Sequence, residues 1–168
     1  MFYPINAHIE PTFGCNNKCD FCYQIVLEKK QYDYMTIETA ESISKAFDNK
    51  LRVIKFALRG EPLLNPELNQ IVNILHKNNP DTVLLSYTNG KLLTHKKIEE
   101  LFTNGLNYIY VNAYNNTFKE YRKKYENYDI RMSLRFGWIL TILIYFLQTH
   151  LKQLYPHFSD LILPLLLK

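Results

Sequence analysis

The chain has 168 residues, 47% hydrophobic and 21% charged, with a formal net charge of +4. That is enough for one domain with a real core, and short of the roughly 250 residues of a closed (β/α)8 barrel. The lysines are scattered, with Lys96-Lys97 and Lys123-Lys124 the densest pairs, so the composition offers no clustered basic stripe for a nucleic-acid partner.

Ile5 to Glu10 alternates apolar and polar residues, which predicts a strand with Asn6, His8 and Glu10 on one face. Pro11 ends it. A loop follows that reads Gly14-Cys15-Asn16-Asn17-Lys18-Cys19-Asp20-Phe21-Cys22-Tyr23 and holds all three cysteines of the chain in a C-x3-C-x2-C pattern. An odd count, with no basic or apolar export segment in residues 1–10, argues against a disulfide framework and for a reducing cytoplasm. A zinc site with His8 as a further ligand is one alternative, although zinc sites usually show two separated ligand pairs. The other is a [4Fe–4S] cluster. Such a cluster normally takes four cysteines; three would leave one iron open to a ligand, as in metal sites that keep a catalytic position free.

Thr36 is positioned as an N-cap, followed at helical spacing by Ile37, Ala40, Ile43 and Phe47. Val53–Leu58 is a second strand, running into Arg59-Gly60-Glu61-Pro62. Asn65-Pro66-Glu67 is expected to open a helix with proline at its first position and Leu68, Ile71, Val72 and Leu75 on one face. Thr82–Tyr87 is a third strand and ends in Thr88-Asn89-Gly90. Thr94 caps a helix carrying Ile98, Leu101 and Phe102, and Gly105 ends it. Asn107–Asn112 is a fourth strand, residues 115–127 a polar helix, and Ile130–Phe136 a fifth strand. Strands alternating with helices of this length predict βαβ units on a parallel sheet, with right-handed crossovers.

Composition changes after Phe136. Residues 137–168 contain ten leucines and a single acidic residue, Asp160. Trp138–Leu147 is apolar but for Thr141, about half the length of a membrane span. The expected boundaries are therefore a core over 1–136 and an apolar helical tail over 137–168. The tail reads as a buried final helix with a loosely packed end, or as a segment foreign to the fold left by a shifted frame or truncated gene. Membrane-surface contact is the weaker reading.

The cysteine loop after the first strand and Gly60-Glu61-Pro62 after the second together resemble the core of radical S-adenosylmethionine (SAM) enzymes over roughly residues 5–136. An aromatic residue precedes the last cysteine in that family, and Phe21 fills the place. The resemblance implies a partial (β/α) barrel of about five parallel strands. It further implies a [4Fe–4S] cluster on Cys15, Cys19 and Cys22, and SAM held at the open iron. An external one-electron reductant would cleave SAM to a 5′-deoxyadenosyl radical, which abstracts hydrogen from a substrate, a peptide or a small molecule. SAM contacts are implied for Phe21, Arg59, Gly60, Glu61 and Pro62, for Thr88 and Asn89, and for Asn112 toward the ribose. Arg59 stands where the family has glycine, but the family uses backbone carbonyls there. Glu61 suits a ligand ammonium, either directly or by shaping the strand end. Asn6, His8 and Glu10 would serve if their face turns inward, and Arg131, Ser133 and Arg135 are weaker candidates. Tyr23 reads as loop packing. A sixth strand is not legible, and with only three cysteines no auxiliary cluster is expected. The alternative is a truncated, inactive iron–sulfur or zinc module. No motif identifies the substrate.

Overall fold

A computed structural model describes residues 5–22, 24, 32–114, 118–128 and 130–135. The expectations for Tyr23 and for the tail over 137–168 lie outside these residues.

Five strands form one all-parallel sheet in the order β1-β4-β5-β6-β7: β1 (Asn6–Ile9), β4 (Val53–Phe56), β5 (Val83–Thr88), β6 (Tyr108–Tyr114) and β7 (Ile130–Arg135). Each joins the next through a helix, α1 (Ile37–Phe47), α2 (Leu68–Asn78), α3 (His95–Thr103) and α4 (Phe118–Lys124). The fold is an α/β partial barrel.

Local chemistry sets the helix ends. The Thr36 hydroxyl accepts from Thr39 N at 3.3 Å and the Thr94 hydroxyl from Lys97 N at 3.2 Å, satisfying amides that a helix start leaves open. Asp48 takes the left-handed conformation after α1. The α2 start departs from expectation: Pro62–Leu64 form a 3₁₀ turn and the helix begins at Leu68, not at Pro66. The cause is Asn65. Its Oδ1 accepts from Glu67 N at 2.8 Å, a side-chain turn that competes with helix. Its Nδ2 reaches the carbonyls of Pro11 (2.7 Å) and Met35 (3.0 Å).

A second, two-stranded sheet was not anticipated. β2 (Thr12–Phe13) and β3 (Asp33–Tyr34) pair antiparallel and close the two ends of the cysteine loop. Two residues per strand carry too little alternation to be read from sequence.

The five-stranded sheet has unlike faces. Ile54, Phe56, Leu84, Ile109 and Val111 turn toward the helices and join Leu68, Ile71, Val72, Leu75, Ile98 and Leu101 in one buried cluster. Complete burial of such side chains contributes about 1.5–3 kcal/mol each. Alternate residues of the same strands, His8, Lys55, Tyr87 and Asn112, line a cavity on the opposite face.

Candidate functional site

The cavity has a volume of about 650 Å³, within the range of ligand pockets. It opens at the C-terminal strand ends, and the cysteine loop forms one of its walls. Cys15, Cys19 and Cys22 all line it, together with Asn17 and Phe21.

The loop is seated by backbone contacts. Met35 N donates to Pro11 O and Glu61 N to Gly14 O, each at 2.9 Å. Gly60 is required by proximity: a Cβ there would lie 1.6 Å from Thr12 O. The glycine of the second motif therefore lets the loop after β4 lie directly on the loop after β1.

The three cysteines are free thiols, each half-buried. Two sulfurs face amide donors. Asn17 Nδ2 lies 3.2 Å from Cys19 Sγ, Asn17 N 3.4 Å from Cys15 Sγ, and Asn89 Nδ2 3.5 Å from Cys15 Sγ. Burial pushes the Cys15 thiol up, with Asn17's amide working against it and Glu61's charge adding to it. Burial first, then Cys15 and Cys22 beside it, push Cys19 up to about 11. Neutral thiols crowded in this way lose their protons readily to a bound cation. Among the described residues no three His, Cys, Asp or Glu side chains close on a single-ion position. A cluster cube takes its thiolates from separate corners, and the donor set, soft sulfurs with amides aimed at them, fits it.

Glu61, 2% exposed, ties the strand ends together. Its Oε1 accepts from Leu63 N (3.1 Å) and Thr88 Oγ1 (2.7 Å), and its Oε2 from Asn89 N (2.8 Å). Burial holds its carboxyl above the ordinary carboxylate range, and these three hydrogen bonds offset part of that. Asn89 then spans to the cysteine loop, donating to Asn16 Oδ1 at 2.8 Å. Thr88 Oγ1 accepts from Gly90 N at 3.0 Å. Gly90 has φ +78°, and a Cβ there would meet Tyr121 and Val111 within 3 Å. Thr88-Asn89-Gly90 is thus a bracket in which each residue type has a mechanical reason.

Arg59 has a partner that sequence alone did not reveal. Its guanidinium pairs with Glu10 Oε2 at 2.7 and 3.1 Å, while Glu10 Oε1 accepts from Arg59 N (2.8 Å) and Gly60 N (3.1 Å). The guanidinium also stacks over Phe13, 5.1 Å from the ring centroid. Glu10 therefore anchors the loop after β4, and Gln24 Nε2 donates to the Arg59 carbonyl.

Of the residues singled out from sequence, Phe21, Arg59, Gly60, Glu61, Thr88, Asn89 and Asn112 share the cavity wall with the cysteines. Pro62 does not: it is buried at the start of the 3₁₀ turn behind Glu61. His8 lines the cavity, while Asn6, on the same strand face, is exposed and stands outside it. Arg131, Ser133 and Arg135 stand in register with Tyr110, Asn112 and Tyr114. Sequence reasoning missed Asn17, Lys55 and Tyr87. The alternation of β4 and β5 was the signal for the last two, once His8 marked the cavity face.

A family model described as Radical SAM superfamily matches residues 9–136. A curated relative from Niallia circulans, an S-adenosyl-L-methionine-dependent 2-deoxy-scyllo-inosamine dehydrogenase, is 27% identical over 124 residues, covering 70% of this chain and 48% of the relative. A second, from Oryza sativa subsp. japonica, an S-adenosyl-L-methionine-dependent tRNA 4-demethylwyosine synthase, is 24% identical over 132 residues, covering 60% of this chain and 20% of the relative. Among solved structures, BtrN in complex with AdoMet and 2-DOIA superposes with a TM-score of 0.70 at 22% identity, covering 78% of this chain and 56% of that one. Methylornithine synthase (PylB) gives 0.51 at 16% identity, covering 71% and 36%. The chain spans half or less of the length of the curated relatives.

Proposed function

The chain belongs to the radical SAM superfamily, a family of enzymes that bind a [4Fe–4S] cluster and SAM, and from that premise we propose that it forms the catalytic core of a radical SAM enzyme. In this reading Cys15, Cys19 and Cys22 hold the cluster. Such a cluster would supply, once reduced by an external donor, the one-electron chemistry for reductive cleavage of SAM and hydrogen abstraction from a substrate.

The chain's own residues bind, orient and shield. The Arg59–Glu61 backbone, which lines the cavity beside the cysteines, is the stretch that would meet the SAM ammonium. Glu61 acts by positioning, since both its oxygens already accept hydrogen bonds from the protein. Asn112, 8% exposed and at the cavity, is our candidate for the ribose contact, with Phe21 and Asn89 as further candidates beside the cofactor. Water exclusion falls to the cavity walls. Residues 1–136 make up this core and 137–168 a separate apolar segment. The protein works with an external one-electron reductant on a substrate that is a peptide or a small molecule, in the cytoplasm; no helix among the described residues is long and apolar enough to cross a membrane.

The observation that carries the proposal is the chain of contacts from Glu61 through Asn89 to Cys15. It welds the second motif to the cysteine loop at one cavity. Anaerobic reconstitution is expected to load about four irons. Dithionite and SAM should then yield 5′-deoxyadenosine, and Cys19→Ala should abolish that yield. Iron uptake without any SAM cleavage would leave only the inactive module, and zinc uptake without iron would remove the cluster as well.

A further inference from the structure

The cavity face carries a cation that the SAM reading does not use. Lys55 sits in mid-strand on β4, half-buried, on the face away from the hydrophobic core. His8 is its direct neighbour across the β1–β4 pair. Tyr87 lies on the same face one strand further, diagonal to Lys55, and stacks on Tyr110 with ring centroids 4.9 Å apart. All but Tyr110 line the cavity.

Among the described residues, no acid pairs with the ammonium. Among the described residues, the one carboxylate lining the cavity is Glu61, buried and engaged by three protein donors. Glu10, just past the end of the neighbouring strand, has both oxygens on Arg59 and Gly60. Holding a lysine partly out of water with no counter-charge is unfavourable, and an apolar side chain would serve this sheet position better. A ligand anion supplies the missing charge, and the imidazole beside it supplies a further hydrogen-bonding group. The stacked tyrosines offer a flat apolar surface adjacent to it.

We propose that Lys55 and His8 form the anion subsite of the substrate pocket, taking a carboxylate or phosphate, with Tyr87 under the group that carries it. The subsite lies on the strand faces rather than at the strand-end loops. It rests on the radical SAM reading only for the identity of the ligand as substrate. SAM carries a carboxylate of its own, so the test must separate the two sources.

The probes are phenyl phosphate, inorganic phosphate, benzoate and neutral benzyl alcohol, titrated into the reconstituted protein with SAM present and followed by calorimetry. The anionic probes should bind and benzyl alcohol should bind far more weakly. Lys55→Met, which keeps the apolar stem, should weaken the anionic probes about tenfold or more, the cost of one charge-assisted hydrogen bond. Lys55→Arg should retain most of the affinity. Tyr87→Ala should weaken phenyl phosphate more than inorganic phosphate. Equal binding of benzoate and benzyl alcohol, absence of probe binding, or equal binding by Lys55→Met would each overturn the proposal. So would a Lys55→Met variant with unchanged probe affinity and a raised Kd for SAM, because the ammonium would then serve the cofactor. If the parent binds anionic probes through Lys55 yet never cleaves SAM, the catalytic reading fails while the subsite stands.

Discussion

The two faces of the sheet are made from the same strands and obey opposite rules. On β4, Ile54 and Phe56 are fully buried against the helices, while Lys55 between them faces the cavity. On β6, Val111 joins the core and Asn112 the cavity wall. A parallel sheet covered on both faces reads as a continuous apolar run. Here the alternation is that of a sheet with one face kept for a ligand. One face fixes the fold, and the other is available for chemistry because it is not needed for stability.

The sharpest way to break that comparison is to truncate adjacent residues. Phe56→Ala should lower unfolding free energy by about 3–5 kcal/mol, the usual cost of emptying a buried aromatic site. Lys55→Ala, one residue away, should change it by no more than about 0.5 kcal/mol. Urea unfolding of both variants decides it. Similar losses would show that the cavity face is structural too.

The second test strikes the seam between the loops. Gly60→Ala places a methyl 1.6 Å from Thr12 O, and no rotamer relieves a clash with backbone. The loops must separate, at about 1–3 kcal/mol by analogy with overpacked sites. Because Thr12 and Gly14 lead into Cys15, iron retention after reconstitution should fall together with stability. Normal iron content in a destabilised variant would show that the cysteine loop holds its shape unaided.

What was legible in the sequence follows the same division. The helix-facing pattern of Ile37, Ala40, Ile43 and Phe47, the capping threonines and the strand alternation depend on local chemistry, and their elements came out within a few residues of expectation. The cysteine loop was legible because its three thiols are neighbours in the chain, and all three line the cavity. The couplings were not. Glu10 with Arg59, 49 residues apart, and Glu61 with Asn89, 28 apart, exist only once the strand ends are brought together. The α2 start was misplaced for the same reason, because Asn65 answers to Pro11 and Met35 rather than to its own helix.

Glu61→Gln is the third test, and it asks whether this acid positions or binds. An amide keeps the size but turns an NH2 group toward one of three donors, which costs about 1–3 kcal/mol for a buried donor left unpaired. The loss should reach Cys15 through Asn89, so iron content should drop moderately as well. The pH dependence has a definite sign. Burial raises the folded-state pKa above the ordinary 4.5. The folded state therefore holds the proton more tightly, and stability from this group is complete below 4.5 and declines as pH rises through the folded value. Unfolding midpoints measured from acid to neutral pH should show that decline in the parent and a flatter profile in Glu61→Gln. Parallel profiles would remove Glu61 as the titrating group.

The smallest expected effect separates the sulfur environment from the scaffold. Asn17 contributes nothing to the hydrophobic core, and its side-chain amide donates to Cys19 Sγ at 3.2 Å. Asn17→Ala should leave the unfolding midpoint almost unchanged, within about 0.5 kcal/mol for a site away from the core. In the reconstituted protein it removes a hydrogen bond from a ligand sulfur, and such bonds help set cluster potentials by stabilising the more negative, reduced state. The midpoint potential should therefore move to more negative values while iron content is retained. The backbone amide of Asn17 still faces Cys15, so the shift is partial. A potential unchanged from the parent would mean that the amide orients the loop and has no part in tuning. A loss of iron instead would place Asn17 with Gly60, among the residues that build the loop rather than those that adjust its chemistry.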